Sequence, residues 1–350
     1  MTNQGPWTIL FRVDGNHAMG LGHLMRCRAL AEALIASGHR CAFLVASPDP
    51  EIIAPLTAVG IDIRPVDPDH DRDASETLAR CATLGAAALV IDGYHFGDAW
   101  RRGVRALGKP ILAFADGPLR PDHADLLIDA ASPSSADPEE LFGPDYVLLR
   151  RELVEAARLP PLPIAQRPAI LITFGGSDPM ALTQRTTTEL CAVLPDAALT
   201  VVIGPAVEHG PAVADGLRAL GPRVTVLMAP PTMGTLMRRA GLAVTAAGGT
   251  VGELAALGVP AVLAIIAENQ IAGAQACVAD GWCLAIDARA DSDAPRKLAQ
   301  TAVQLWHNAE RRALWAARAR AAVDPGGADR AAATLLAAIT RHNRENTPAA

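Results

Sequence analysis

Short, continuously apolar runs alternate with stretches of helical periodicity along most of this chain. In the first half the runs fall at residues 9–13, 42–46, 88–92, 111–115, 126–128 and 147–149. In the second half they fall at 170–174, 199–203, 224–228, 243–246, 261–266 and 284–286. Each has the length of a strand, while segments such as 29–37, 99–107, 182–193 and 251–257 read as helices. Buried strands separated by helices predict parallel sheets covered on both faces. The expected fold class is α/β, with two Rossmann-like, doubly wound parallel-sheet domains. Ligands of such sheets sit outside the carboxyl ends of the strands, so a cleft between two facing sheets is the expected site.

The two halves are separated by "RLPPLPIAQRP", whose prolines remove donors and hold the backbone extended. The predicted organisation is a first domain over 1–157, a linker over 158–168 and a second domain over 169–290. Residues 291–342 read as two or three amphipathic helices, one carrying Leu298, Val303, Leu305 and Trp306, another Leu335, Leu336 and Ile339. The end, 343–350, is expected to be frayed and disordered.

Composition narrows the class. Half of the 350 residues are apolar, enough for each half to bury a core. A formal charge of -6 without any basic run argues against nucleic acid and against anionic membranes as partners. Six scattered cysteines (Cys27, Cys41, Cys81, Cys191, Cys277 and Cys283) predict reduced thiols of a cytoplasmic protein, not disulfides or zinc ligands. The start "MTNQGPWTIL" has no basic-then-apolar signal region, and the longest apolar run, 254–267, contains Pro260 and is too short to span a bilayer. Membrane insertion is therefore not expected.

Candidate chemistry gathers where strands end. "ILITFGGSDP" closes a strand with Gly175, Gly176 and Ser177, where backbone N–H groups and a hydroxyl can approach an anion, or where the chain simply turns. "LAVTAAGGTVGELAALGVP" ends a strand at Gly248 and Gly249, and Thr250 opens a helix whose first N–H groups suit a diphosphate. Glu253 is either the carboxylate of a capping box with Thr250 or an acceptor for ribose hydroxyls. "VLAIIAENQ" ends in Glu268, Asn269 and Gln270; its amides can read sugar hydroxyls, or Asn269 can cap a helix.

In the first half, Arg12 and Asp14 share one face at the end of the first strand, as a salt-bridged pair or as ligand-facing groups. Tyr94 in "VIDGYHFGD" and Asp116 in "ILAFADG" also follow strands. The stretch "RVDGNHAMGLGHLMRCRALAEAL" then places His23 on a helical face with Cys27, Leu30 and Leu34. It is a packed core histidine or a general base. The helix start and the like charge of Arg26 one turn on favour a neutral imidazole, the form a base requires, and Gly20 and Gly22 leave room for a substrate. The alternating Asp67, Asp69, Asp71 and Asp73 of "VDPDHDRD" read as a solvated loop and not as a metal site.

Taken together these motifs resemble the two-domain glycosyltransferases with facing Rossmann-like sheets (the GT-B type), in the branch of the lipid II-forming N-acetylglucosaminyltransferase. More closely they resemble the UDP-2,4-diacetamido-2,4,6-trideoxy-β-L-altropyranose hydrolase family of pseudaminic acid biosynthesis, a route to surface or flagellin glycosylation. The opening "R-x-D…G-x-GH-x-x-R" is met by Arg12, Asp14, Gly20, Gly22, His23 and Arg26, and "D-x-Y" by Asp92 and Tyr94. The "GGSDP" turn, "G-x-T-x-x-E" (Gly248, Thr250, Glu253) and "E-N-Q" follow in order, up to about Asp287. Two features depart from the pattern: an expected acidic pair reads Ala115-Asp116, followed by Gly117, and the helical tail runs well past the last motif.

The resemblance implies that His23 takes a proton from water attacking the anomeric carbon of a UDP-linked diacetamido sugar, releasing UDP and the inverted sugar without a metal or other cofactor. It implies sugar contacts from Arg12, Asp14, Gly22, Arg26, Tyr94, Asn269 and Gln270. It implies nucleotide contacts from Gly175, Gly176, Ser177, Gly248, Gly249, Thr250 and Glu253, with the backbone near Met228 facing the uracil. A GT-B glycosyltransferase using a UDP-amino sugar donor is the alternative, and a non-catalytic UDP-sugar-binding protein is a third reading.

Overall fold

The computed structural model describes residues 5–17, 19–67, 69–116 and 122–346. Gly117 and residues 347–350 therefore lie outside the described residues. The chain divides into two compact units. One holds the described residues of Met1–Asn16, His23–Arg150 and Gly326–Ala350; the other holds those of His17–Gly22 and Arg151–Pro325.

The first unit runs β1 (Thr8–Val13), α1 (Gly22–Ala36), β2 (Arg40–Ala46), α2 (Pro50–Thr57), β3 (Asp62–Val66), α3 (His70–Leu84) and β4 (Ala86–Asp92). It continues through α4 (Asp98–Val104), β5 (Ile111–Phe114), β6 (Leu126–Asp129) and β7 (Glu140–Phe142). Among the described residues these strands form one parallel sheet of order β3-β2-β1-β4-β5-β6-β7. The central strands are apolar on both faces because helices cover both: Ile9, Leu10, Phe11, Leu89, Val90 and Leu112 have no solvent exposure. Phe11 and Phe43 stack across β1 and β2 with ring centroids 4.6 Å apart.

The second unit runs α5 (Arg151–Arg158), β8 (Ala169–Thr173), α6 (Leu182–Val193), β9 (Ala198–Ile203), α7 (Gly210–Arg218), β10 (Val224–Met228) and α8 (Gly234–Arg239). Then follow β11 (Ala240–Ala246), α9 (Thr250–Ala256), β12 (Ala261–Ile265), α10 (Ile271–Ala279), β13 (Cys283–Asp287), α11 (Ala294–Trp306) and α12 (Ala309–Ala322). Its described strands form a parallel sheet of order β10-β9-β8-β11-β12-β13. Both sheets reverse direction of growth once, between β1 and β4 and between β8 and β11. Loops leaving neighbouring strands part at such a point, which opens room for a ligand.

Several expectations need correction, and one strand was not expected. The apolar segment 147–149 is not a strand: a 3-10 turn over Pro144–Tyr146 precedes it, and the sheet edge is closed by the short β7 instead. Strand β3, "DIRPV", escaped the reading because it is an edge strand, mostly exposed, where polar residues and Pro65 cost no ladder bond. The proline-rich stretch is not a free linker but part of the second unit, which begins at Arg151. Prolines remove N–H donors and leave carbonyls, and arginines satisfy these: Arg167 donates to Leu162 O, Arg238 to Pro160 O and Arg320 to Ala157 O. The tail does not form one module either. Helices α11 and α12 pack on the second unit, whereas α13 (Gly327–Glu345) belongs to the first, where Arg330 donates to the carbonyl of Asp145. That helix continues through residues 343–345, expected to be disordered, because its last turn is an ordinary helical continuation ending at Asn346.

Candidate functional site

In the first unit the switch between β1 and β4 carries a buried polar cluster. Val13 and Asp92 are paired residues at the ends of these strands, and α1 starts at Gly22, so its first turn faces the end of β4. Residues at i, i+3 and i+4 share a helical face, which turns His23, Arg26 and Cys27 together toward Asp92. Nδ1 of His23 lies 2.7 Å from Oδ1 of Asp92. Arg26 donates from Nη2 to the same oxygen at 2.6 Å and from Nε to Oδ2 at 2.6 Å, and the Cys27 thiol lies 3.6 Å from Oδ2. The guanidinium extends to Asp116, at 2.8 and 3.0 Å, and covers the face of Phe114. Burial alone would push the Asp92 carboxyl up, but Arg26 and His23 outweigh it and hold it well below the usual carboxylate range.

This settles how the imidazole is held. A carboxylate can only accept, so Nδ1 carries a proton and donates to Asp92, and Nε2 is the ring nitrogen left for proton exchange. Nε2 makes no hydrogen bond among the described residues and is not sealed from solvent. Tyr94, half-exposed on the loop after β4, stands edge-on to the ring at 4.9 Å. His23 is thus a buried histidine whose Nδ1 is held by Asp92, with Nη2 of Arg26 3.1 Å from the same nitrogen and bonded to the same carboxylate.

Arg12 and Asp14 take a different place. Arg12 has no exposure and spends its donors on Asp73 (3.0, 3.0 and 2.6 Å), Asp14 (2.7 Å) and the carbonyl of Leu44. Asp14 further accepts from the amide of Ala46 at 2.7 Å and lies 2.9 Å from Nε2 of His95. Burial raises the Asp14 carboxyl, but His95 and Arg12 bring it down to about 2. The structure forms the salt-bridged pair of the two readings: both residues are saturated inside the unit and fix the ends of β1 and β2. Asp73 corrects an expectation. It lies in α3, 1% exposed, where it also accepts from Trp100 and Thr77, and so belongs to the core and not to a solvated loop.

In the second unit the loops after β8, β11 and β12 lie side by side at the carboxyl edge of the sheet. Gly175 has φ +83°, a conformation glycine adopts without strain. Gly176 is covered by Leu21, so closely that an added Cβ would lie 2.7 Å from that side chain. Leu21, with Gly20 near Ser177 and His17 Nδ1 2.9 Å from Ala206 O, fastens the loop between β1 and α1 to this turn. Gly204, after β9, supports the turn from below, where an added Cβ would lie 2.4 Å from the carbonyls of Gly175 and Gly176. Gly175, Gly176 and Ser177 remain half-buried. Asp178 is turned away from them and caps α6, accepting from Leu182 N and Thr183 N at 2.9 and 2.8 Å.

After β11, Gly248 and Gly249 lead into α9. The cap residue is Gly249, without a side-chain cap bond, so Thr250 is the first helical residue and the capping box with Glu253 does not form around it. After β12, Gln270 accepts from the amide of Ile266 at 2.9 Å, and its Nε2 reaches the Gly248 side of the neighbouring loop. Asn269 is exposed, and the cap residue of α10 is Gln270, not Asn269. Met228 stands 43% exposed at the end of β10. The structure thus brings Gly175–Ser177, Gly248–Thr250 and Gln270 to one edge, and His23, Arg26, Asp92 and Tyr94 into one cluster. The reading of the chain missed Asp92 as the partner of His23, and Leu21 and Gly204 as supports; only the aspartate at the end of an apolar strand offered a signal. No group of three His, Cys, Asp or Glu with metal-binding geometry occurs among the described residues.

Residues 170–330 match the glycosyltransferase family 28 C-terminal domain. A relative from Methanocaldococcus jannaschii, itself uncharacterized, is 24% identical over 273 residues, 74% of this chain; the match spans 55% of that protein's length. Among solved structures, MurG of Acinetobacter baumannii superposes with a TM-score of 0.65 at 18% identity, over 95% of this chain and 100% of that one. A calicheamicin glycosyltransferase gives 0.63 at 18% identity, covering 97% and 99%. The spinosyn rhamnosyltransferase SpnG gives 0.63 at 16% identity, covering 93% and 99%. No helix among the described residues is long and apolar enough to cross a membrane. With two parallel α/β sheets and these likenesses, the chain has the GT-B fold, and its second unit is similar to the C-terminal domain of glycosyltransferase family 28.

Proposed function

We propose that this protein is an enzyme that uses a nucleotide sugar, a UDP-linked amino sugar, as glycosyl donor. The observation that carries the proposal is the His23–Asp92 pair, which engages Nδ1 and leaves the Nε2 side of the ring for a substrate proton. An acceptor hydroxyl attacks C1 of the sugar while Nε2 of His23 takes its proton. The C1–O bond to the diphosphate breaks, and its electron pair leaves with UDP. Asp92 stabilises the imidazolium so formed, and Arg26 with Asp116 keeps Asp92 ionised and in place. On the nucleotide side, Ser177 and the backbone N–H groups of the two glycine turns receive the charge developing on the diphosphate. Glu253 would accept the ribose hydroxyls, the segment at Met228 would flank the uracil, and Tyr94, Asn269 and Gln270 would orient the sugar.

Transfer to an alcohol is favoured by the family 28 match and by the glycosyltransferase neighbours. Hydrolysis, with water as the nucleophile and release of an inverted free sugar, is a second reading. The clustering of His23, Arg26, Asp92 and Tyr94, all drawn from the hydrolase-like motifs, favours it. One assay separates the two. UDP release is measured for a panel of UDP-linked amino sugars in buffer with EDTA, with and without acceptor alcohols. Release that requires an acceptor establishes transfer; release in buffer alone, with a free sugar by NMR, establishes hydrolysis. Release of UDP under neither condition refutes both.

A further inference from the structure

The second unit holds two buried arginines that its chemistry at the carboxyl edge does not use. Arg312, on α12, is 7% exposed and Arg167, just before β8, is 3% exposed. Elsewhere the chain pairs inward-facing arginines with acids: buried Arg12 with Asp73 and Asp14, and half-buried Arg26 with Asp92 and Asp116. Arg167 and Arg312 have no carboxylate partner among the described residues. Arg167 donates only to the carbonyls of Leu162 and Gly258. Arg312 stacks on Trp306 at 4.3 Å and touches the carbonyl of Gly241 only at 3.5 Å, while its buried Nε has no acceptor among the described residues. Removing a cation from water without a counter-charge is costly, so the arrangement is incomplete as it stands.

Both side chains line an open groove of 480 Å³ between the proline-rich stretch and α12, and Arg167 also lines its 530 Å³ continuation. The remaining walls are mainly apolar, with Ile164, Pro163 and Ala313 prominent; Arg320, which donates to the Ala157 carbonyl, also lines the continuation, and Glu310 stands exposed on the rim and pairs with neither Arg167 nor Arg312. Gly241 of β11 makes the room: a Cβ there would lie 2.8 Å from Nη1 of Arg312 and 3.1 Å from Trp306. The groove lies at the amino ends of β8, β11 and β12, the edge opposite the glycine turns.

We propose that this groove binds a small organic anion, a carboxylate or phosphate on an apolar body, its oxyanion received by Arg312 and Arg167 and its body lying along Ile164, Pro163 and Ala313. The inference does not depend on the nucleotide-sugar reading. A guanidinium supplies planar, paired donors for an oxyanion, and the groove has the size of a ligand site.

Equilibrium dialysis and thermal unfolding of the full chain, with sodium octanoate and with inorganic phosphate, test it. Octanoate is expected to bind one per chain and to raise the unfolding midpoint, and phosphate to bind at least tenfold more weakly. Arg312→Met should weaken octanoate binding at least tenfold while unfolding at the wild-type temperature or above, because an unpaired buried charge is gone. Ala313→Phe, which fills the groove and keeps both arginines, should also lose octanoate. Absence of binding, equal binding by Arg312→Met or Ala313→Phe, phosphate binding as tightly as octanoate, or a markedly lower midpoint for Arg312→Met without ligand would each overturn the proposal.

Discussion

Nδ1 of His23 donates to Oδ1 of Asp92 across 2.7 Å, joining the first turn of α1 to the end of β4. The bond fixes both the tautomer and the orientation of the ring, so Nε2 is the only nitrogen able to take a proton. Replacing His23 by Ala removes the base and leaves the nucleotide-binding turns untouched. Turnover should fall by about 10²- to 10⁴-fold, with UDP affinity by calorimetry within twofold of wild type.

Asp92→Asn tests the other half of the pair. An amide can present either an acceptor or a donor to Nδ1, so the tautomer is no longer enforced, and about a 10³-fold loss of turnover is expected. The change also leaves Arg26 with Asp116 as its one carboxylate partner. Stability should fall by about 3 kcal/mol, measured by urea unfolding.

Arg12 and Asp73 form a buried pair with a structural role. Arg12→Met leaves Asp73 buried without its main partner and should cost about 3–5 kcal/mol. The double variant Arg12→Met/Asp73→Leu should recover most of that loss, and its sugar preference should equal that of the wild type. A changed sugar preference in the stable double variant would show that Arg12 does reach the substrate.

Acid should act through Asp92 and Asp14, both held below the usual carboxylate range, and Asp14 carries its own share. Its folded value, about 2, lies below the unfolded carboxylate range near ~3.9. The stabilisation is therefore fully present above the unfolded value and disappears as pH falls through the folded one. The unfolding midpoint should stay level from pH 7 to about 5 and decline below 4, and Asp14→Asn should lower the neutral midpoint and flatten that decline.

Gly204 supports the Gly175–Gly176 turn at a distance that no side chain fits. Gly204→Ala should destabilise the protein by about 1–3 kcal/mol and weaken UDP binding, because the carbonyls it would strike belong to the turn itself. Unfolding and calorimetry on the same variant read both effects.

The central strands of both sheets were legible because burial on both faces demands unbroken apolar runs, as in "ALVID" and "LAVTA". The edge strand β3 and the separate destinations of α12 and α13 were not, since an edge carries no such demand and amphipathic helices do not announce which sheet they cover. His23 was legible from its glycine-rich approach and helical register. Its partner was not, because 69 residues separate it from Asp92 and only the pairing of β1 with β4 brings them together. The same non-local reach drew Arg12 and Asp73 into one buried pair, against the local impression of an exposed acidic loop.

The most direct measurement is UDP release from UDP-linked amino sugars by the wild type and by His23→Ala, alongside UDP affinity for each. Release by the wild type, a loss of at least a hundredfold in the variant, and equal affinities are expected. Equal release by the two proteins, or UDP binding with no release from any donor by the wild type, would contradict the proposed function.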